Sequence, residues 1–501
     1  MFISVNSIRT LSNWYAHFGA VCLLISNTAF AAPTLTQTID NALTARCLNK
    51  ERTAVNIVSL STGRTIYSRN PQTPLLPASI MKLVTTAAAL HYLGPEYRYK
   101  TKLLQTGRRI GDTLQGDLIL MGSGDAKLVH TDLWQMAQQL KASGLNFIEG
   151  KLIADVSLFD NYDRAPTWDV DRSQRPFDAK IGALSLNLNT VAVNLRPGAN
   201  VGDPLVIWLE PSPAYMRIDN QSTTAAKGNG TAGVRRVDDA QGGVRIVVTG
   251  NLPQGDYDRT VLVNVDNPSR YTIESFRDYL GKAGITVRGA TEIVNISPNN
   301  AREVLEHESP PLSLIIKEMN TYSSNFMAEQ LVKTIAVEKV GKPATHLNGL
   351  KQVADFLQTS GVSTQGVMLA DGSGLSKQNQ ITAKMMTDLL VMMHNRFDIG
   401  PDFMTSMRVM GAFGLHSNRF KNSPAHAHVR AKTGTLNGVS TLTGYVPSNT
   451  GRQLYAFSLL LNNNGCGYKG ADDVEDQIVN ALFLQGDELP LVSSSQLPVT
   501  Q

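Results

Sequence analysis

"VRAKTGTLNGVSTLTGYVPSNTGRQLYAFSLLLNNN", residues 429–464, falls into three strand-like runs. Asn437 with Gly438, and the stretch 449–451, supply turn residues where the runs break. That spacing predicts three strands joined by tight turns. The other end of the chain carries a similar pattern. "TAVNIVSLSTGRTIYSRN", residues 53–70, predicts two strands around a Ser-Thr-Gly turn. Helical spacing precedes it over 34–48 and returns over 471–484, where Val474, Ile478, Ala481 and Leu482 share one face. The two chain ends therefore predict one unit of an α+β fold, a five-stranded antiparallel sheet flanked by helices.

Between them the character changes. From 97 to 290, short strands such as "GDLILMGSG" and "VRIVVTGNLP" alternate with turns, with helices near 131–143 and 268–283. This interval is read as an inserted α+β region of two small domains, interrupting a unit made of 32–96 and 291–486. The residues after 486 form a short polar tail, 487–501.

Composition limits the partners. Of 501 residues, 46 are basic and 42 acidic, giving a net charge of +4, with no long run of either sign and no basic, aromatic-interleaved stripe. Nucleic acid is excluded as a partner on that ground, and membrane contact is at most peripheral. Arg9 is the one formally charged side chain in the first thirty residues. It is followed by the apolar run "FGAVCLLISNTAFA", and Ala29, Phe30 and Ala31 supply a small-x-small cleavage site. Residues 1–31 are read as a secretory signal, because the run is shorter than the eighteen or so apolar residues of a spanning helix. Beyond it stand Cys47 and Cys466, which leave two readings open, one bridge or two core thiols.

"LLPASIMKLVTTAAAL", residues 75–90, begins an apolar helix with Ser79 and Lys82 three positions apart, so both side chains occupy one face. A serine hydroxyl becomes a useful nucleophile when a neighbour accepts its proton. A lysine amine does so once burial or a second cation lowers its pKa. Alone, S-x-x-K equally describes a helix cap followed by a solvated lysine. Ser323, Ser324 and Asn325 form an S-x-N triplet in "MNTYSSNFMAEQL", a pattern that recurs elsewhere in the chain. Lys432, Thr433, Gly434 and Thr435 open the first strand of the 429–464 stretch, where Gly434 permits close backbone approach.

The order S-x-x-K, S-x-N, K-T-G on helix, helical segment and strand resembles the penicillin-binding proteins and serine β-lactamases. More narrowly it is similar to the low-molecular-mass class C penicillin-binding proteins, which are D-Ala-D-Ala carboxypeptidases and endopeptidases of the bacterial cell wall. The 244 residues from Ser79 to Ser323 fit an insertion between the first two motifs. "ADVSLFDNYDRAPTW", "GALSLNLNTVAVNLRPG" and "LADGSGLSKQNQIT" add to the likeness, which covers the chain after the leader. The resemblance implies the transpeptidase fold with inserted domains, no metal or cofactor, and a periplasmic location. It implies peptidoglycan stem peptides as substrate and β-lactams as covalent inhibitors.

By that resemblance, Ser79 is the nucleophile and Lys82 its base. The N–H groups of Ser79 and Thr435 form the oxyanion hole, and Ser323 with Lys432 passes a proton to the leaving amine. Asn325 bonds the substrate amide, and Thr433, Thr435 and Lys432 hold the terminal carboxylate beside Gly434. Lys432 is also expected to depress the pKa of Lys82 by like-charge repulsion. Asp155 and Phe159 are implied at the diaminopimelate side chain. Two positions depart from the family. Ser324 stands where aspartate is frequent, and Lys377 stands where arginine is frequent, offering a point charge to a carboxylate. His426 and His428 are read as surface or strand histidines rather than a metal pair. The competing functions are a β-lactamase or esterase on the same fold, and an inert peptidoglycan-binding protein.

Overall fold

The computed structural model describes residues 33–168, 173–239, 242–296, 299–412 and 419–488. The proposed signal, and all but the first two residues of the polar tail, lie outside these ranges. Strands from both ends of the chain meet in one antiparallel sheet. Its order is Arg408–Val409, Arg430–Leu436, Val439–Pro447, Leu454–Asn462, Thr53–Ser59, Thr65–Arg69. The sheet thus has six strands where the sequence predicts five. The additional edge strand is two residues long, too short to carry an alternation that could be read.

Side-chain alternation in the central strands explains the layering. Tyr455, Phe457, Leu459 and Leu461, with Val55 and Ile57, face a core shared with the helices Leu35–Ala42 and Gly467–Gln485. Ala456, Leu460 and Ala54 face the opposite way, into a larger core with Met81–Leu93, Asn325–Val340 and Ala383–His394. A strand buried on both faces reads as nearly continuous apolar sequence, as "LYAFSLLLN" does. Met81–Leu93 is likewise covered all round, with ten consecutive buried residues from Met81 to Leu90, and it stops at Gly94.

The interval after Met81–Leu93 forms its own sheets around one apolar cluster running from Leu103 to Ile285. Its five-stranded sheet has the order Thr291–Val294, Leu152–Asp155, Leu118–Met121, Lys100–Gln105, Arg302–Glu308. The first and last of these strands fall after residue 290, on the side assigned from sequence to the catalytic unit, yet their pairing is with the interval's strands. Helices His130–Ala142 and Pro268–Lys282 pack within the same region. Docking onto the catalytic side is polar. Buried Gln330 donates to the carbonyls of Gly124 and Gly182 at 3.2 and 3.0 Å, and buried Lys333 pairs with Asp160.

Cys47 and Cys466 form a disulfide, which closes the question left open by the sequence. It joins the segment after the first helix to the start of the last one. Among the described residues no helix is long and apolar enough to cross a membrane. Because the bridge clamps the two chain ends, replacing both cysteines by alanine is expected to lower the stability of the sheet unit by about 2–4 kcal/mol. Urea unfolding followed beside the oxidised wild type measures this, and equal midpoints would show the clamp to be idle.

Candidate active site

Ser79 lies in the short 3-10 turn Ala78–Ile80 that leads into Met81–Leu93. Ala78 sits at φ 47°, a conformation that costs a residue with a side chain about 1–2 kcal/mol, so its surroundings must hold the turn. Gly374, at φ 82°, is one such neighbour: a Cβ there would stand 1.8 Å from the Ala78 carbonyl oxygen. The strand Arg430–Leu436 closes the other side. A Cβ on Gly434 would lie 2.8 Å from both the Pro77 oxygen and the Ser79 nitrogen, so only glycine lets this strand run directly beside the Ser79 N–H. Thr441 locks the approach by donating to the Pro77 carbonyl at 2.9 Å.

The Lys82 amine is fully buried and lies 3.1 Å from Ser79 Oγ. It also lies 2.7 Å from Asn325 Oδ1 and 2.6 Å from the Ser373 carbonyl oxygen. A neutral amine suits this cage. Its two N–H bonds go to Asn325 and Ser373, neither of which can donate through those oxygens, and its lone pair remains for the Ser79 hydroxyl. Burial pulls the Lys82 pKa down to about 8, while Asp371 and Glu329 act in the opposite sense. The sequence reading allowed burial or a second cation, Lys432, as the cause; burial is the leading one, and Lys432 registers the charge of Lys82.

The Ser373 carbonyl is held in place by two buried acids. Asp371 accepts from Gly374 N, Ser376 N and Asn379 Nδ2, each at 2.7 Å, and from Trp168 Nε1 at 2.9 Å. Glu329, on Asn325–Val340, accepts from Gly372 N at 3.1 Å and Ser373 N at 2.9 Å. The loop is wound around carboxylates, and its carbonyl is thereby turned toward the amine. Neither acid was identified from sequence as part of the site. Asp371 reads locally as a turn aspartate ahead of Gly-Ser-Gly. The available signal for Glu329 was a charged residue inside the apolar run "NFMAEQLVKTIA".

Ser323 and Lys432 meet on the far side of the cleft. Ser323 caps Leu312–Tyr322 in the left-handed conformation, φ 57° and ψ 40°, and receives a bond from Lys432 Nζ at 2.9 Å. Lys432 is buried and also donates to the Thr433 carbonyl at 2.8 Å. Burial holds its pKa well below the usual lysine value, with Lys82 and Arg408 adding repulsion. Ser324 starts the next helix by accepting from Met327 N at 3.2 Å, a capping bond that aspartate also makes. Asn325 spends its second amide group on the inserted region, donating to the Phe177 carbonyl at 2.9 Å.

Ser79, Ser323, Thr433, Gly434 and Thr435 line one cleft of about 370 Å3. Arg419 lies in its wall, held by Asp472, Glu475 and Asp476. The remaining candidates are not brought to this cleft. Asp155 is buried at the end of Leu152–Asp155 and accepts from Ser157 N at 2.9 Å. Phe159 packs with Ala183, Ala336 and Ala344. Lys377 is exposed on the loop beyond Ser376. The His428 ring lies 5.0 Å from that of Phe483. Among the described residues no group of three or more His, Cys, Asp or Glu side chains is placed to hold a metal ion.

A serine hydroxyl against a buried amine, with a glycine-bearing strand pressed to its backbone, is the constellation of an active-site serine acyl-transfer enzyme. Comparison with known proteins agrees and narrows the class. The chain belongs to the D-Ala-D-Ala carboxypeptidase 3 (S13) family, whose model matches residues 35–483. It is 34% identical over 460 residues to a D-alanyl-D-alanine carboxypeptidase of Actinomadura sp. (strain R39), covering 89% of this chain and 83% of that protein. The crystal structure of penicillin binding protein 4 (dacB) from Haemophilus influenzae matches with a TM-score of 0.74 at 25% identity, covering 89% of this chain and 98% of that one. The same Haemophilus protein in complex with a β-lactam matches with a TM-score of 0.71.

Gly434→Ala puts a methyl group into the contact with Ser79. We expect acylation by a labelled penicillin to slow by about 100-fold, the cost of displacing the strand by a fraction of an ångström to an ångström. An unchanged acylation rate would mean that the strand's approach is not critical.

Proposed function

We propose that Ser79 is the nucleophile and Lys82 its general base in cleavage of the D-Ala-D-Ala bond of peptidoglycan stem peptides. The observation that carries this reading is the Lys82 cage: with Asn325 and Ser373 taking its N–H bonds, the amine has one direction left in which to accept a proton, and Ser79 Oγ occupies it at 3.1 Å. Attack on the peptide carbonyl gives an acyl-enzyme and a negative oxygen, for which the N–H groups of Ser79 and Thr435 serve as donors. Ser323, bonded to Lys432 at 2.9 Å, relays a proton to the departing amine. Thr433, Thr435 and Lys432 receive the terminal carboxylate. Asn325 is a donor for the substrate amide once its bond to Phe177 is exchanged. Water then releases the acyl group.

The assignment requires no contribution from Asp155, Phe159 or Lys377. A substrate in the cell wall and a disulfide between Cys47 and Cys466 support export to the periplasm, with residues 1–31 as the leader. Carboxypeptidase action removes the terminal D-alanine. Endopeptidase action cuts a cross-link with the same acyl-enzyme, so both draw on one set of residues.

Intact mass after brief incubation with penicillin is expected to show a stable adduct on the wild type and none on Ser79→Ala. The Ser79→Ala enzyme is also expected to lose release of D-alanine from a D-Ala-D-Ala peptide. Drug consumed without an adduct would identify a β-lactamase, and drug left intact without an adduct an inert binding protein. The acylation rate is expected to rise with pH and to reach half its maximum near 8, because the base acts in its neutral form and its pKa is pulled down to about 8. A rate independent of pH on both sides of that value would remove Lys82 from the role of base.

A further inference from the structure

The reaction as proposed uses Lys82 but leaves unassigned the buried acid that lies behind its cage. Glu329 has no solvent exposure and is one turn along the helix from Asn325, the residue that takes one of the Lys82 N–H bonds. Its carboxylate accepts from the backbone of Gly372 at 3.1 Å and of Ser373 at 2.9 Å. The carbonyl of that same Ser373 takes the other Lys82 N–H bond. One helix therefore controls both fixed acceptors of the amine, Asn325 directly and Ser373 through Glu329. A buried acid costs several kcal/mol in desolvation unless its partners compensate, so its presence inside an apolar helix calls for a role that a neutral side chain does not fill.

We propose that Glu329 is a positioning residue of the reaction: its bonds to Gly372 and Ser373 aim the Ser373 carbonyl at the Lys82 amine, and its charge acts on that amine from within the core. This inference rests on Lys82 being the base. The charged groups around the amine come from every element packed on it: Asp371 from the loop, Glu329 from Asn325–Val340 and Lys432 from Arg430–Leu436, with Arg408 bearing on Lys432. Glu329 in turn faces His346, whose Nε2 lies 3.4 Å away at the start of His346–Thr359, and Lys333 on its own helix. A negative charge facing an ammonium retains its proton. Removing the charge alone makes Lys82 easier to deprotonate, whereas removing the reach alone lets the Ser373 carbonyl drift.

Two substitutions separate charge from reach. Glu329→Gln keeps an oxygen for the loop N–H groups and loses the charge. Glu329→Asp keeps the charge but is one methylene too short to hold both. The readout is the rate constant of penicillin adduct formation against pH, taken on the fraction of enzyme that forms adduct, so that a partly folded preparation is judged on its folded molecules. For Glu329→Gln the acid limb is expected to move to lower pH, by at least about three-fold in proton concentration. For Glu329→Asp the limb is expected to stay in place while the plateau falls by about ten-fold. His346 is present in each variant, so a moved limb is assigned to position 329. A Glu329→Gln limb superimposed on that of the wild type overturns the proposal, as does a Glu329→Asp enzyme indistinguishable from the wild type. If Glu329→Gln yields no adduct-forming enzyme, the Glu329→Asp plateau decides. A wild type that forms no adduct at Ser79 sinks the underlying assignment of the base instead, a failure distinct from either variant result.

Discussion

Everything at the cleft depends on keeping one amine dry. A lysine with no solvent exposure is expensive, and the fold covers the cost by enclosing Lys82 in acceptors and in a helix covered all round. The enclosing groups come from parts of the sequence that are far apart. Asn325 arrives on a helix 243 residues away, and the Ser373 carbonyl on a loop 291 residues away. Once those two oxygens are fixed, the amine has one direction left, and Ser79 Oγ lies on it at 3.1 Å. The strained turn at Ala78 and the missing side chains at Gly374 and Gly434 are the steric conditions for that arrangement.

Around this centre the charges are balanced in layers. Lys82 and Lys432 are both buried, with Arg408 nearby, and on their own they would repel. Asp371 and Glu329 answer them from inside the protein, Glu329 accepting backbone N–H groups of the 371–376 loop and Asp371 accepting from that loop's backbone and from the side chains of Asn379 and Trp168. The acids thus act through geometry and through the field at once. The inserted region enters the same network at two points, Trp168 on Asp371 and Phe177 on Asn325. It braces the groups behind the cleft as well as being an addition to the fold.

How much of this was legible in the sequence follows from range. The Ser79 and Lys82 pair lies three residues apart on a helix, so its proximity was local, and the K-T-G strand was marked by the turn residues that follow it. The motifs' order then placed Ser323, Asn325 and Lys432 with them, and the structure brings all five together. What was missed depends on contacts with no local signature. Asp371, Glu329, Trp168 and Phe177 meet across long separations, and each has an ordinary local role as a turn acid, a helix residue or an aromatic in a loop. The Cys47–Cys466 bridge was left open because two cysteines alone do not imply pairing. The strands Thr291–Val294 and Arg302–Glu308 were placed by their position after the insert, whereas hydrogen bonding sends them into its sheet.

The sheet topology has a consequence for how the enzyme comes into being. Thr53–Ser59 pairs with Leu454–Asn462, so the third strand to complete the centre of the sheet is made some 400 residues after its neighbour. During synthesis Met81–Leu93 precedes its C-terminal partners, and the interval's locally paired sheets are able to form ahead of them. Until Arg430–Leu436 arrives, Ser79 lacks the Gly434 backbone that runs beside its N–H. Because the strands beside Ser79 come last in the chain, the cleft closes only when the C-terminal strands are made, and a chain released early carries both Ser79 and Lys82 without the strand that runs beside them.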